Sequence, residues 1–492
     1  MSRVPRLRPR TVMPRSAVAV AACACCLLAT GRPASGQVAN PNQVLSASQS
    51  ATATALRDAA LKGSGAYNLG KSLATEVGPR LAGSPGDPLA VAWGVRTLKA
   101  LGFANVHTEK VMVPHWERGA ESAEVTAPYP QRLAVAALGG SVGTPEGGVE
   151  APVVGVASLA ALDKLDPAKV KGKIVFVDVQ MRRTRGIEGY ATAVPVRGEA
   201  AAHAGRLGAA AVVIRSIGTD DNRLPHTGGM RYGDGPRIPA AALSAPDADL
   251  LAAELGSAKP VTLRLKLGAR QLPEAESANV IGEITGSEKP GEIVLLGCHL
   301  DSWDLGQGAL DDGAGCAIVI EAARRLGELK PHPRRTVRVV LFANEEFGLS
   351  GARAYAEAHR QELDRHVVAA ESDLGTGRPW RLATRIDLAS YGWVREISRL
   401  IFPLGVATGD NLAEGGADLS VLAPARVPFL ELDQDATVYF DYHHTANDTM
   451  DKLVPRDLDY NVADWVVLAY VAADIPGDFG RAPAPAQEPP KK

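Results

Sequence analysis

An apolar run, "EIVLL" (292–296), leads straight into "GCHLDSWDLGQGALDDGAG" (297–315), which sets His299, Asp301, Asp304, Asp311 and Asp312 within one short span. The run has the length and character of a buried strand, yet it ends in charge. Burying carboxylates beside apolar strands is expensive unless a cation compensates them. A chain with this feature therefore needs a fold that brings compensation to the end of a strand. In open α/β sheets that place is the carboxyl edge, where loops vary while the sheet holds their roots.

The C-terminal half keeps to that architecture. From "SANVIGEITGS" (277–287) onward, strand and helix periods alternate, the signature of an α/β fold. "GEIVLLGC", "TVRVVLFAN", "HVVAAES" and "VPFLELD" are strands, while "GAGCAIVIEAARRLGEL", "GLSGARAYAEAHRQ" and "YNVADWVVLAYVAAD" are helices. Upstream, a helical pattern from Leu56 runs through "ALRDAALKGSGAYNLGKSLATEVG", after a polar lead-in expected to be mobile. "PLAVAWGVRTLKALG" is a second helix, and "FANVHTEKVMVPHWERG" is strand followed by loop. Between about 120 and 270, the strand candidates "GKIVFVDV", "AAAVVIRS" and "VTLRLKL", with "GEAAAHAGRLG" as a helix, lie among Gly- and Pro-rich loops, which points to an inserted β-rich domain. The expected organisation is a main domain made of residues 37–119 and 271–478, an insert at 120–270, and a Pro/Ala-rich tail, 479–492, expected to be disordered.

Four predicted strand or loop ends carry ligand-type residues. The first supplies His299 and Asp301, the second Glu345 and Glu346 from "FANEEFG", the third Glu371 and Asp373 from "ESDLG", and the last His443 and His444 from "YHHTANDT". Asp311 and Asp312 open the helix after the first strand, where a helix N-terminus favours anions. Taken singly, each has an ordinary explanation as a cap, a solvated turn or a satisfied polar group. Together they fit a pair of divalent cations sharing one carboxylate; imidazole and carboxylate suit zinc, and two metals roughly 3.5–4 Å apart form a clamp for hydrolysis. Glu371 stands two residues before Asp373 and is left out of the ligand set. Asp304 and Asp312 are expected to cap or support, and His332, His359 and His366 to lie on the surface.

At these four motifs the chain resembles the co-catalytic dizinc exopeptidases, and within them the carboxypeptidase Q family. "GPRLAGS", "VPHWERG", "SVGTPEG", "PHTG" and "EITGS" are also similar to segments of that family, so the likeness spans nearly all of the chain after its first residues. The resemblance implies two zinc ions, one held by His299, Asp311 and Asp373, the other by Asp311, Glu346 and His444, with Asp311 bridging. It implies Glu345 as general base and Asp301 as the acceptor that orients the His299 imidazole. It also implies an α/β zinc-exopeptidase core with a mixed central sheet flanked by helices, a protease-associated-like insert, and a possible homodimer. "HTANDT" and "GGADLS" depart from the family pattern, which touches substrate contacts rather than the metal ligands. His443, beside His444, is a candidate for binding substrate, with packing as the alternative. The expected substrates are dipeptides or short peptides. Aminopeptidase action is the rival reading, and an inactive receptor-like homologue would lack a ligand or the base, none of which is missing.

The N-terminus bears on where this chemistry takes place. "MSRVPRLRPRTVMPR" is basic and free of acid, "SAVAVAACACCLLAT" is apolar over the length of a signal h-region, and "PASG" offers small residues for cleavage, so residues 1–36 are expected to be a signal peptide and the protein exported, periplasmic or secreted. The apolar run falls short of the roughly 20 residues that cross a bilayer, so no stable membrane insertion is expected. "VAAC" offers the alternative of a lipid anchor at Cys23. Of five cysteines, three lie in this segment; Cys298 and Cys316 are expected to be buried free thiols. Net charge is −2 with no basic stripe interleaved with aromatics, which argues against nucleic acid as a partner.

Overall fold

The computed structural model describes residues 43–257 and 259–484. The expected signal segment, with Cys23, and the chain beyond residue 484 lie outside the described residues. Among the described residues no helix is long and apolar enough to cross a membrane.

Two eight-stranded sheets organise the described residues. Strand β1 (Ala104–Glu117) enters the first sheet, and the chain then builds the second sheet from β2 (Glu121–Ala127), β3 (Gln131–Leu133), β4 (Val135–Ala137), β5 (Val149–Val156), β6 (Ile174–Val177), β7 (Ala211–Arg215), β8 (Ala240–Leu243) and β9 (Thr262–Leu267). It returns to the first sheet with β10 (Arg270–Ile284), β11 (Lys289–His299), β12 (Arg335–Phe342), β13 (His366–Glu371), β14 (Pro379–Arg385), β15 (Ala407–Thr408) and β16 (Phe429–Gln434). The first sheet runs β1-β10-β12-β11-β13-β16-β14-β15, the second β3-β2-β9-β5-β6-β7-β8-β4.

At the centre of the first sheet β12, β11, β13 and β16 are parallel. A parallel sheet covered on both faces needs continuous apolar, β-branched strands, and "RTVRVVLF" of β12 is buried at every position. Helices Gly315–Gly327 and Pro455–Asp474 cover one face, and their apolar side chains join those of the strands in one core. Because β11, β12 and β13 point the same way, their carboxyl ends lie on one edge. The insert is likewise mixed, with parallel β5, β6, β7 and β8 and a long helix, Glu188–Arg206.

Several expectations give way to tertiary context. The first helix begins at Ala47, inside the supposed mobile lead-in, because Ser46 and Gln49 form a reciprocal capping box. The helical run expected from Leu56 divides into Ala47–Leu61 and Ala66–Glu76, broken at Gly63, whose φ of 142° no helix tolerates. The segment expected as strand and loop is one 14-residue strand, β1, since its antiparallel partner β10 continues alongside it. The tail is packed as far as Ala482: Phe479 and Ala482 are buried, and the Ala482 N–H donates to the Arg426 carbonyl. His366 is fully buried rather than on the surface, its Nε2 2.8 Å from Tyr355 Oη, and His359 sits half-buried between Glu109 and Glu362. Strand β14 and helix Tyr391–Ile401 carried no sequence expectation.

Candidate active site

The carboxyl edge of the first sheet gathers the ligand-type residues. β11 ends on His299; β12 is followed by the turn that carries Glu345 and Glu346; β13 is followed by Asp373; and His443 and His444 arrive on the turn after Tyr439–Asp441. His299 Nε2 lies 3.1 Å from Asp311 Oδ1 and 3.3 Å from Asp373 Oδ1. His444 Nε2 lies 3.2 Å from Asp311 Oδ2 and 2.9 Å from Glu346 Oε2. Asp311 thus turns one oxygen to each of two imidazoles. His443 stacks on His444 with ring centres 3.5 Å apart and brings its Nε2 to 3.6 Å from Asp311 Oδ2.

The backbone around Asp311 is held by its neighbours. Asp448 accepts the N–H groups of Leu310 (2.7 Å) and Asp311 (3.2 Å), and Asp312 accepts those of His299 (3.2 Å) and Gly315 (2.9 Å). Asp312 is therefore the supporting group anticipated for it, whereas Asp304 pairs with Arg118 at 2.6 Å. Asp301 differs from expectation in its atoms. The acceptor within hydrogen-bonding reach of His299 Nδ1 is the Asp301 main-chain carbonyl, at 3.1 Å; the carboxylate, at 3.6 Å, instead accepts the Glu345 N–H at 3.0 Å. Glu371, two residues from Asp373, spends its carboxylate on the N–H groups of Asp418 (3.1 Å) and Leu419 (2.9 Å).

Burial and crowding set the charges. Burial would raise the Asp311 carboxyl, but the hydrogen bond from His299 and the nearby imidazoles of His444 and His443 hold it well below the usual range. Burial would likewise lower His299, yet Asp373, Asp301 and Asp311 push it well above. Glu345 is driven well above the usual carboxylate range by burial first, with Asp373 and Glu346 adding to the effect against His299. Asp311 Oδ2 and Glu346 Oε1 are buried without a hydrogen-bond partner. Carboxylate oxygens left over in this way, converging with imidazole nitrogens, are a donor set that fits divalent cations.

The site opens into a cleft of about 650 Å³ whose lining includes Glu345, Asp373, Tyr439 and His443. Tyr190 and Arg197, also on its wall, come from the insert, and the sequence offered no signal for them because they lie in a helix of the other domain. Arg197 donates to Tyr190 Oη at 2.7 Å and sits 3.3 Å from His444 Nδ1.

A mixed sheet whose parallel centre brings imidazoles and carboxylates together at its carboxyl edge is the architecture of a metal-dependent hydrolase. Residues 279–469 match the model of peptidase family M28, and residues 149–251 that of the PA domain. Carboxypeptidase Q from Mus musculus is 37% identical over 404 residues, 82% of this chain and 84% of that protein. The crystal structure of a peptidase M28 precursor from Shewanella amazonensis is 45% identical, covers 88% of this chain and 99% of its own, and superposes with a TM-score of 0.87. A zinc aminopeptidase from Bacillus subtilis shares the fold at 22% identity, with a TM-score of 0.61 over 83% of this chain and 94% of its own. The chain belongs to peptidase family M28, among the relatives of carboxypeptidase Q, and is a zinc-dependent metallopeptidase.

Proposed function

We propose that this protein is an exported dizinc exopeptidase that hydrolyses dipeptides or short peptides from the carboxyl side. The observation that carries the reading is Asp311, one oxygen on His299 and the other on His444. One zinc ion would be held by His299, Asp311 and Asp373, the other by Asp311, Glu346 and His444. Bound zinc supplies Lewis acidity, lowering the pKa of a water toward about 7 and polarising a carbonyl. Glu345 takes the proton of the attacking water as the C–O bond forms and the carbonyl carbon becomes tetrahedral, then returns it to the amine nitrogen as the peptide C–N bond breaks. Asp301 aims Glu345 through its main chain, and His443 hydrogen-bonds the substrate, a role supported by its position on the cleft wall.

The sequence likeness to carboxypeptidase Q favours action at the carboxyl end, and the N-terminal segment favours export. The division into a main domain and an insert at 120–270 is supported by the passage of the chain from the first sheet to the second between Glu117 and Glu121 and its return between Leu267 and Arg270. The test is hydrolysis of a free dipeptide beside its N-blocked and C-amidated forms. Loss of cleavage on amidation alone is expected; loss on N-blocking alone would make the enzyme an aminopeptidase.

A further inference from the structure

The two histidines at the end of the catalytic sheet are held from outside it. His444 has φ +63°, a left-handed conformation that is unfavourable for a non-glycine residue and persists only where its surroundings over-determine it. Those surroundings come from "PHTG" (225–228) of the insert, a segment that carries part of the family resemblance and has no place in the chemistry above. The Thr227 N–H donates to the His444 carbonyl at 3.0 Å. His226 Nδ1 donates to the His443 carbonyl at 2.7 Å. The Thr227 carbonyl faces His444 Nδ1 at 3.3 Å. Both carbonyls of the turn and the back of the His444 ring are therefore met by two consecutive residues of the other domain.

His226 is itself fixed. Its Nε2 lies 2.6 Å from Asp220 Oδ1, its N–H donates to Ser216 Oγ at 2.8 Å, and a Cβ on Gly218 would come within 2.2 Å of its ring. The same loop is tied to the other flank of the site: Arg118 reaches Thr227 Oγ1 at 3.1 Å and pairs with Asp304, in the loop that follows His299. Simple packing would be served by an apolar side chain at 226, and a buried imidazole with both nitrogens committed to oxygen acceptors does something narrower. Thr227 and the Arg197 guanidinium, each 3.3 Å from His444 Nδ1, fix the plane of that ring from the insert side and leave its Nε2 facing Asp311 and Glu346.

We propose that His226 and Asp220 are positioning residues of the metal centre: they hold the His443–His444 turn so that His444 Nε2 faces Asp311 and Glu346, which makes the insert part of the second cation site. The proposal rests on the two-cation reading above.

The test is zinc binding by chelator competition on the full-length protein, with stoichiometry, alongside melting of the zinc-free form. Wild type is expected to take up two equivalents. In His226→Leu the first equivalent should bind as in wild type and the second roughly 10–100-fold more weakly, the usual cost of losing a group that orients a metal ligand. His226→Asn, which restores a donor near the Nδ1 position, should recover part of that loss. Two equivalents held at wild-type affinity in His226→Leu would overturn the proposal alone, as would equal weakening of both sites. A wild type that takes up fewer than two equivalents would overturn the two-cation reading and the proposal with it. Should His226→Leu fail to fold, Asp220→Asn is read in its place: selective weakening of the second equivalent supports the role, and unchanged affinity overturns it.

Discussion

Glu345 and Glu346 are neighbours with identical side chains and different surroundings. Glu346 puts an oxygen 2.9 Å from His444 Nε2, while Glu345 is fixed through its main-chain N–H by Asp301 and faces the cleft. Exchanging a carboxylate for its amide keeps the shape and removes the base. Glu345→Gln is therefore expected to lower kcat by roughly 10²–10⁴-fold with zinc content unchanged, read by steady-state hydrolysis and metal analysis of the same sample. Undiminished turnover would remove Glu345 from the role. His443 packs edge-on to Tyr190 and Phe440 and face-on to His444, so packing and a place on the cleft wall coexist in one side chain.

At the level of elements, precision comes from close approach. Helix Gly315–Gly327 starts so near β13 that a Cβ at Gly315 would lie 2.0 Å from the Ser372 carbonyl and 2.2 Å from Asp312 Oδ1. Only glycine lets the helix and the loop carrying Asp373 meet. On the same sheet, β12, β13 and helix Ser350–Ala358 enclose a polar knot in which Arg338 donates to Tyr355 Oη and Tyr355 Oη meets His366 Nε2. Burial lowers the His366 pKa to about 4, and Arg338 adds to the effect against the Glu362 carbonyl. Its folded value lies below the ordinary unfolded one of about 6.5, so the proton binds the unfolded chain better. The stability gained from a neutral His366 is complete above about pH 6.5 and declines as pH falls toward 4. On the order of 3 kcal/mol is involved. Thermal melting between pH 7 and 4 should fall more steeply for wild type than for His366→Gln, and parallel curves would show that this histidine does not contribute.

For the molecule as a whole, the active site gathers buried carboxylates whose mutual repulsion a bound cation offsets. Ligation that favours the folded chain adds RT ln(1 + [L]/Kd), about 2.7 kcal/mol at a hundredfold excess over Kd. Chelation is thus expected to abolish hydrolysis and lower the melting temperature together, with zinc restoring both; a melting temperature indifferent to chelator would mean that the ions contribute nothing to the fold.

The central strands β11, β12, β13 and β16 of the first sheet and the residues at their ends were legible because both signals are local: β-branched runs such as "VRVVLF" have one stable environment, and charge at their termini needs an explanation wherever it occurs. The family likeness, too, rests on short contiguous motifs. Other features depend on partners far away in the chain. His366 is buried by Tyr355 and Arg338, Phe479 by the body it folds back upon, and His444 is oriented by Thr227, 217 residues upstream. Sequence determined which chemistry the chain could carry, since that is a matter of residue type at strand ends; the tertiary structure decided which atoms meet, because a hydrogen bond between domains is set by how two separately specified surfaces pack, and no local period encodes it.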